Sequence, residues 1–182
     1  MKNLLVLDLD ETLVHATSKQ LHYPECFRAY RYFVYKRPYV DDFLNFIKDY
    51  FQVAIWTASD KAYALRVLDQ LLPQNYPLKF VKTREDCTLK FDFELQDYYQ
   101  VKKLKKLKKK GYYLEKIFIV DDTPKKAEMN YGNYIKIFPY EGDQNDDELK
   151  LLMDYLPLLS EVENLRKIEK RNWRQIIEMK ND

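Results

Sequence analysis

An α/β fold with a mainly parallel sheet, covered by helices on both faces, is predicted from three observations. Short apolar runs recur along the chain, segments of helical spacing fall between them, and the runs are continuous rather than alternating, as in strands buried on both faces. Leu4–Leu7 is the first run, and Phe51–Trp56 the second. Leu78–Val81, Ile117–Val120 and Tyr134–Phe138 complete the set. Right-handed crossovers are expected between them.

The helices follow in order. Pro38 suits a first turn, and Val40, Phe43, Leu44 and Ile47 follow at helical spacing. Ser59 is the expected N-cap of a helix over Asp60–Leu72, with Ala62, Leu65, Leu68 and Leu72 on its buried side. Val101, Leu104 and Leu107 mark a third helix closed by Gly111, and Asp146–Leu156 a fourth stopped before Pro157. Ser160 with Glu163 forms a capping box for a last helix carrying Leu165, Ile168 and Ile176. The β-forming stretch Arg28–Lys36 predicts a hairpin inserted after the first strand.

Composition bounds the function. The 182 residues fit one domain with an insertion or tail, and 46% hydrophobic residues with 15% aromatics are enough for a core. Only 3 glycines are present and no glycine-rich phosphate loop, so a nucleotide-cradling fold is disfavoured. A net charge of +2 gives no global pull toward nucleic acid, and no motif supports nucleic-acid binding. Cys26 and Cys87 have no metal-ligand spacing and read as free thiols in a reducing compartment. No signal-peptide core or membrane-length apolar run is found. An intracellular monomer is expected, cytoplasmic or, in a eukaryote, nuclear, with no membrane partner.

The sharpest feature is Asp8-Leu9-Asp10-Glu11-Thr12 directly after the first strand. Alternation sets Asp8 and Asp10 on one side of an extended chain, at the carboxyl end where open α/β sheets bind ligands. Paired carboxylates repel unless they share a cation or a proton. That suits phosphoryl transfer, with one as nucleophile and the other as general acid and base. The plain alternative is an acidic, solvated turn. Asp121-Asp122 ends another strand and, with Thr123-Pro124 opening a helix, makes the second half of a hard-cation site. Thr57, beside a helix start, suits phosphoryl oxygens, against the alternative of an ordinary turn.

The chain resembles the haloacid dehalogenase superfamily. Within it, the closest likeness is to the small phosphatases of the RNA polymerase II C-terminal domain and the nuclear LIM interactor-interacting factors. The resemblance rests on DLDETLVH from Asp8, KRPYVDDFL from Lys36, WTAS from Trp56, REDC from Arg84, VKKLKKL from Val101, FIVDDTP from Phe118 and DELKLLMDYL from Asp147. It spans residues 1–165 as a phosphatase domain of Rossmann-like, haloacid-dehalogenase-like fold without a large cap, leaving 166–182 as a C-terminal helical extension. The extension interleaves basic residues with Ile168, Trp173 and Ile176, and reads as an amphipathic helix packed on the domain.

The resemblance implies a magnesium-dependent protein serine/threonine phosphatase working through a phospho-aspartate. Asp8 would be nucleophile and Asp10 general acid and base, with Thr12 supporting their loop. Mg2+ would be held by Asp8, Asp10 (through its carbonyl), Asp122 and Asp121. Thr57, Ser59 and Arg84 would contact substrate. Lys102 would hold the phosphoryl group, but the spacing from Lys102 to Asp121 is longer than the family pattern, so Lys105 stays open. The seven lysines from Lys102 to Lys110 read as a solvated helix face or as a basic rim for phosphopeptides. His15 reads as structural, and His22 has no role. The cover, Ala16–Tyr35, carries Tyr23, Phe27, Tyr30, Tyr32, Phe33 and Tyr35 as candidates for an apolar pocket beside a phosphoserine. A small-molecule phosphatase and a non-catalytic scaffold are the competing readings.

Overall fold

A computed structural model describes residues 2–181. Its core is a five-stranded sheet in the order β10-β9-β1-β5-β6, built from β1 (Leu4–Leu7), β5 (Gln52–Trp56), β6 (Leu78–Lys82), β9 (Ile117–Asp121) and β10 (Tyr134–Lys136). All four pairings are parallel. β1 is central, with every side chain buried, because apolar layers cover both faces. In register, Leu7 lies beside Val120 on β9 and Ile55 on β5. The residues following β1 therefore emerge between the ends of β9 and β5, and all three strands deliver polar residues to one edge.

α1 (Val40–Tyr50) buries the expected Val40, Phe43, Leu44 and Ile47. α2 (Lys61–Leu71) corrects its expected face: Ala62 and Leu65 point outward, while Tyr63, Ala64, Val67, Leu68 and Leu71 are buried. The buried stripe runs in adjacent pairs one turn apart, which the leucine spacing alone did not indicate. The N-cap is Asp60 rather than Ser59, accepting the Tyr63 amide at 2.9 Å. α4 (Glu148–Tyr155) matches its expectation and stops where Pro157 opens a 3-10 turn.

The inserted hairpin is real and larger than expected: β2 (Val14–Thr17), β3 (Phe27–Ala29) and β4 (Tyr32–Lys36) form an antiparallel sheet in the order β2-β4-β3. A second hairpin, β7 (Thr88–Asp92) with β8 (Asp97–Val101), was not foreseen. Val101 thus ends a strand, and the expected third helix is a 3-10 helix over Leu104–Lys110. Its buried residues are Leu104 and Leu107; spacing of three stacks side chains on one edge of a 3-10 helix, and Lys105, Lys106 and Lys108–Lys110 stay exposed.

The C-terminal region also departs from expectation. Ser160 donates to the Pro157 carbonyl and opens no helix. Asn164 instead caps a short 3-10 turn, Leu165–Lys167, and the helix α5 begins only at Trp173 (Trp173–Asn181). Ile168 and Ile176 are exposed, while Leu165, Trp173 and Ile177 join the core. The Trp173 indole donates to the Lys136 carbonyl at 2.9 Å, so the extension is docked against β10. Side chains at 180–182 lie outside the described set.

Candidate active site

β1 ends in Asp8, whose amide donates to the Val120 carbonyl at 3.0 Å and so continues the pairing with β9 one residue further. Its carboxylate is buried and asymmetric. Oδ1 accepts from the Leu9 amide at 2.7 Å and pairs with the Lys102 ammonium at 2.6 Å. Oδ2 has no hydrogen-bond partner among the described residues; Lys126 Nζ, on α3 (Pro124–Ala127), stands 3.8 Å away. Lys102 also donates to Asp121 Oδ2 at 2.6 Å and is fully buried. Lys105 is exposed, so Lys102 is the lysine at this site.

One buried ammonium thus serves two buried carboxylates, and a third lies close. Oxygens of Asp8, Asp121 and Asp122 fall within 4.8 Å of one another. Asp121 Oδ1 accepts from the Thr123 amide, and Asp122 Oδ2 from the Thr123 hydroxyl, each at 2.9 Å. Asp122 Oδ1, like Asp8 Oδ2, is buried without a partner among the described residues. Burial and the neighbouring Asp8 charge push the Asp121 carboxyl above its usual range, with Lys102 opposing. Burial would lower the Lys102 ammonium, but Asp121 and Asp8 outweigh it and raise it. Bare buried carboxylate oxygens are costly. Hard oxygen donors grouped this way suit a small divalent cation that keeps its waters, as magnesium does. The residues fit such an ion.

Asp10 takes a different direction. Its carboxylate is outside the acidic triad and turns toward α2: Oδ1 accepts from the Tyr63 hydroxyl at 2.6 Å, and Oδ2 from Ser59 Oγ at 2.6 Å and Thr57 Oγ1 at 3.4 Å. Both carboxylates thus sit at this strand end, Asp8 toward Lys102 and Asp10 toward Ser59 and Tyr63, and Glu11 beyond them takes a positive φ of 59°. They remain close enough for the Asp8 charge to act on Asp10. Burial raises the Asp10 carboxyl above its usual range; the Ser59 and Tyr63 hydrogen bonds lower it, and Asp8 adds to the rise.

The remaining expected residues fall around this centre. Thr57 directly follows β5, buried, and its hydroxyl accepts the Ser59 amide at 3.0 Å. Arg84 sits at the rim, with Nε donating to the Ala58 carbonyl at 2.9 Å. Asp10, Glu11, Ala16, Tyr32, Ser59, Tyr63 and Arg84 line an open cleft of about 240 Å³. Of the six aromatics proposed for the cover, only Tyr32 lines it. Tyr35 is buried, Tyr23 donates to the Gly142 carbonyl, and Tyr30 is exposed.

The motifs that carry this geometry match a family model described as NLI interacting factor-like phosphatase across residues 3–166. The chain belongs to this family. CTD small phosphatase-like protein 2 of Dictyostelium discoideum is 34% identical over 169 residues, covering 89% of this chain and 28% of that protein. Probable C-terminal domain small phosphatase from the same organism is 35% identical over 180 residues, covering 92% of this chain and 55% of that protein. The chain thus spans only part of the length of these relatives. Matched relatives also include proteins named for the nuclear envelope. The solved structure of fission yeast RNA polymerase II CTD phosphatase Fcp1 superposes with a TM-score of 0.60 at 17% identity, over 98% of this chain and 62% of that one, which establishes the shared fold. No helix among the described residues is long and apolar enough to cross a membrane.

Three further residues of this family member shape the site and were missed in the sequence. Tyr63 fixes Asp10, but its position inside an amphipathic helix looks like core. Lys126 faces Asp8, and only the short α3 after Asp121-Asp122 hinted at it. Arg37 is buried, with Nε and Nη2 each 2.7 Å from Asp146 and further bonds to the carbonyls of Thr12 and Phe138. It clamps the loop after β1. His15 pairs with Glu11 at 2.8 Å.

Proposed function

We propose that this chain hydrolyses phosphoserine and phosphothreonine esters in proteins through a phospho-aspartate on Asp8. The observation that carries the reading is the asymmetry of Asp8: one oxygen is fixed by Lys102 and the Leu9 amide, while the other is buried and free beside Lys126. A carboxylate held in this way is preoriented as a nucleophile.

The free oxygen of Asp8 attacks phosphorus, and the bond from phosphorus to the ester oxygen breaks. Asp10, whose raised pKa favours the protonated form, gives its proton to that departing oxygen. It then takes a proton from the water that attacks phosphorus, so that inorganic phosphate leaves and Asp8 is regenerated. Lys102 and Lys126 offset charge on the phosphoryl oxygens. The Thr57 hydroxyl and the start of α2 offer donors on the opposite side. Asp8 and Asp122, with the Asp10 carbonyl and with Asp121 acting on its waters, would hold Mg2+, which when bound neutralises the phosphate and aligns it. Arg84 and Ser59 at the cleft rim would contact the substrate chain, and Tyr32 with Ala16 would take an apolar residue beside the phosphoserine.

The small three-stranded cover leaves the cleft open, which supports a macromolecular substrate over an enclosed metabolite. An intracellular setting is proposed with it, supported by the two unpaired cysteines. The test is hydrolysis of an aryl phosphate with Mg2+ and with chelator, followed by a phosphopeptide panel and a set of sugar phosphates. Activity that requires the metal and favours phosphopeptides is expected. Fast turnover of sugar phosphates with none of the peptides would move the assignment to a small-molecule phosphatase, and no turnover of any ester would leave a scaffold.

A further inference from the structure

Beside α3 lies a larger cavity of about 450 Å³, none of whose lining residues also lines the cleft. Pro124, Tyr131 and Tyr134 form one wall and residues 166–171 the other. The second wall is held in place by close packing: at Gly132, which has a φ of +81°, a Cβ would come within 3.2 Å of the Arg166 carbonyl. Most of it lies beyond residue 166, where the family match ends.

The charge of this cavity is unbalanced. Arg166, Lys167, Lys170 and Arg171 line it against Glu128 and Glu169. Both carboxylates are already engaged, Glu169 by Arg171 and Glu128 by Lys90 and the Tyr99 hydroxyl. Lys170 is 3% exposed, and its ammonium donates only to the carbonyls of Leu165 and Ile168, with no carboxylate partner among the described residues. Arg166 and Lys167 at the lip have no carboxylate partner among the described residues either. A buried cation without a counter-charge is costly and is seldom kept without a partner. Here the charge lines a hollow of the size that takes small ligands, with aromatic and aliphatic walls beside it.

We propose that this cavity is a second binding site, for a phosphate-bearing molecule with a planar or apolar body, separate from the catalytic centre. The phosphate meets Lys170, Arg166 and Lys167, which supply point charges and a planar fork of donors. The body packs on Tyr131 and Pro124. Such a ligand is either a free phosphorylated metabolite or a phospholipid headgroup. The proposal does not depend on catalysis by Asp8.

The test uses the full chain without metal, so that no ester is turned over. Adenosine monophosphate is titrated while backbone amide resonances of Tyr131 and Gly132 are followed, with those of Asp8 and Leu9 reporting the catalytic centre. In parallel, the protein is sedimented with phosphatidylcholine vesicles with and without phosphatidic acid. Saturable shifts at Tyr131 and Gly132 are expected. The double variant Arg166→Gln with Lys167→Gln should weaken them at least about tenfold, while aryl phosphate hydrolysis, assayed separately with Mg2+ restored, stays unchanged. Sedimentation only with phosphatidic acid, lost in the same variant, would support the site with a headgroup as its ligand. Shifts confined to Asp8 and Leu9, or binding unaltered in the double variant, would overturn the proposal, as would no binding of either probe.

Discussion

The two flanks of the site are built on different physics. On the β9 side, Asp8, Lys102 and Asp121 are fully buried and bound by charge: two carboxylates converge on one ammonium, and Asp122 stands beside them. On the β5 side, Asp10 is only partly buried and is held by the hydroxyls of Ser59, Thr57 and Tyr63. Fixed charge stabilises charge that develops at phosphorus, because dipoles and ions already in place need no reorganisation. Around Asp10 it is burial that favours the protonated carboxyl, while the Ser59 and Tyr63 hydroxyls, which donate to it and oppose that rise, fix where its proton is given and taken back. The comparison teaches that nucleophile and acid need opposite surroundings, and that this chain supplies them from two strands on either side of β1.

The sharpest way to break the comparison is at the nucleophile. Asp8→Asn should lower kcat for an aryl phosphate by roughly 10⁴-fold or more, since a neutral amide cannot attack phosphorus. An intact far-ultraviolet circular dichroism spectrum would separate this from unfolding. Removing the charge at Lys102 comes next. Lys102→Ala should leave Asp8 and Asp121 facing each other in the interior and cost about 3–5 kcal/mol of stability, on the order of a 10 °C fall in Tm by calorimetry. A Tm unchanged by this substitution would show that the charged flank is not held as described.

The hydroxyl flank should be more forgiving. Tyr63→Phe removes one neutral-donor hydrogen bond and should reduce kcat about tenfold with KM little changed, because the acid is misplaced while substrate binding is not. Ser59→Ala should cost slightly less, about threefold to tenfold, as Thr57 still reaches the same oxygen. Arg84→Ala is expected to raise KM for a phosphopeptide by about threefold to tenfold and to leave aryl phosphate turnover unchanged, in steady-state kinetics. If the hydroxyl variants proved as damaging as Asp8→Asn, the division between a charged flank and a proton-bearing flank would fall.

Much of the fold was legible because buried parallel strands write themselves as unbroken apolar runs, and five of them sit where expected. Asp8, Asp10, Thr57, Asp121 and Asp122 were legible because strand ends in such a sheet are the places where polar residues gather. The β7–β8 hairpin was missed although Leu89, Phe91, Phe93 and Leu95 alternate with Lys90, Asp92 and Glu94, because its apolar side is largely exposed and makes no continuous buried run. The helix expected at Val101–Leu107 failed for a related reason, since leucines three apart satisfy an α-helix and a 3-10 helix equally.

By itself, then, the chain determined the candidate carboxylates and the five sheet strands that carry them, since periodicity and side-chain type are local properties. Only the tertiary structure decided how they meet. Lys102 rather than Lys105 reaches Asp8 because it is the lysine buried between β8 and the 3-10 helix, and Asp10 meets Tyr63 because α2 packs beside the loop after β1. The same holds for Lys170, which is buried with its ammonium on the carbonyls of Leu165 and Ile168. The first two encounters join residues far apart in sequence, and packing alone fixes them.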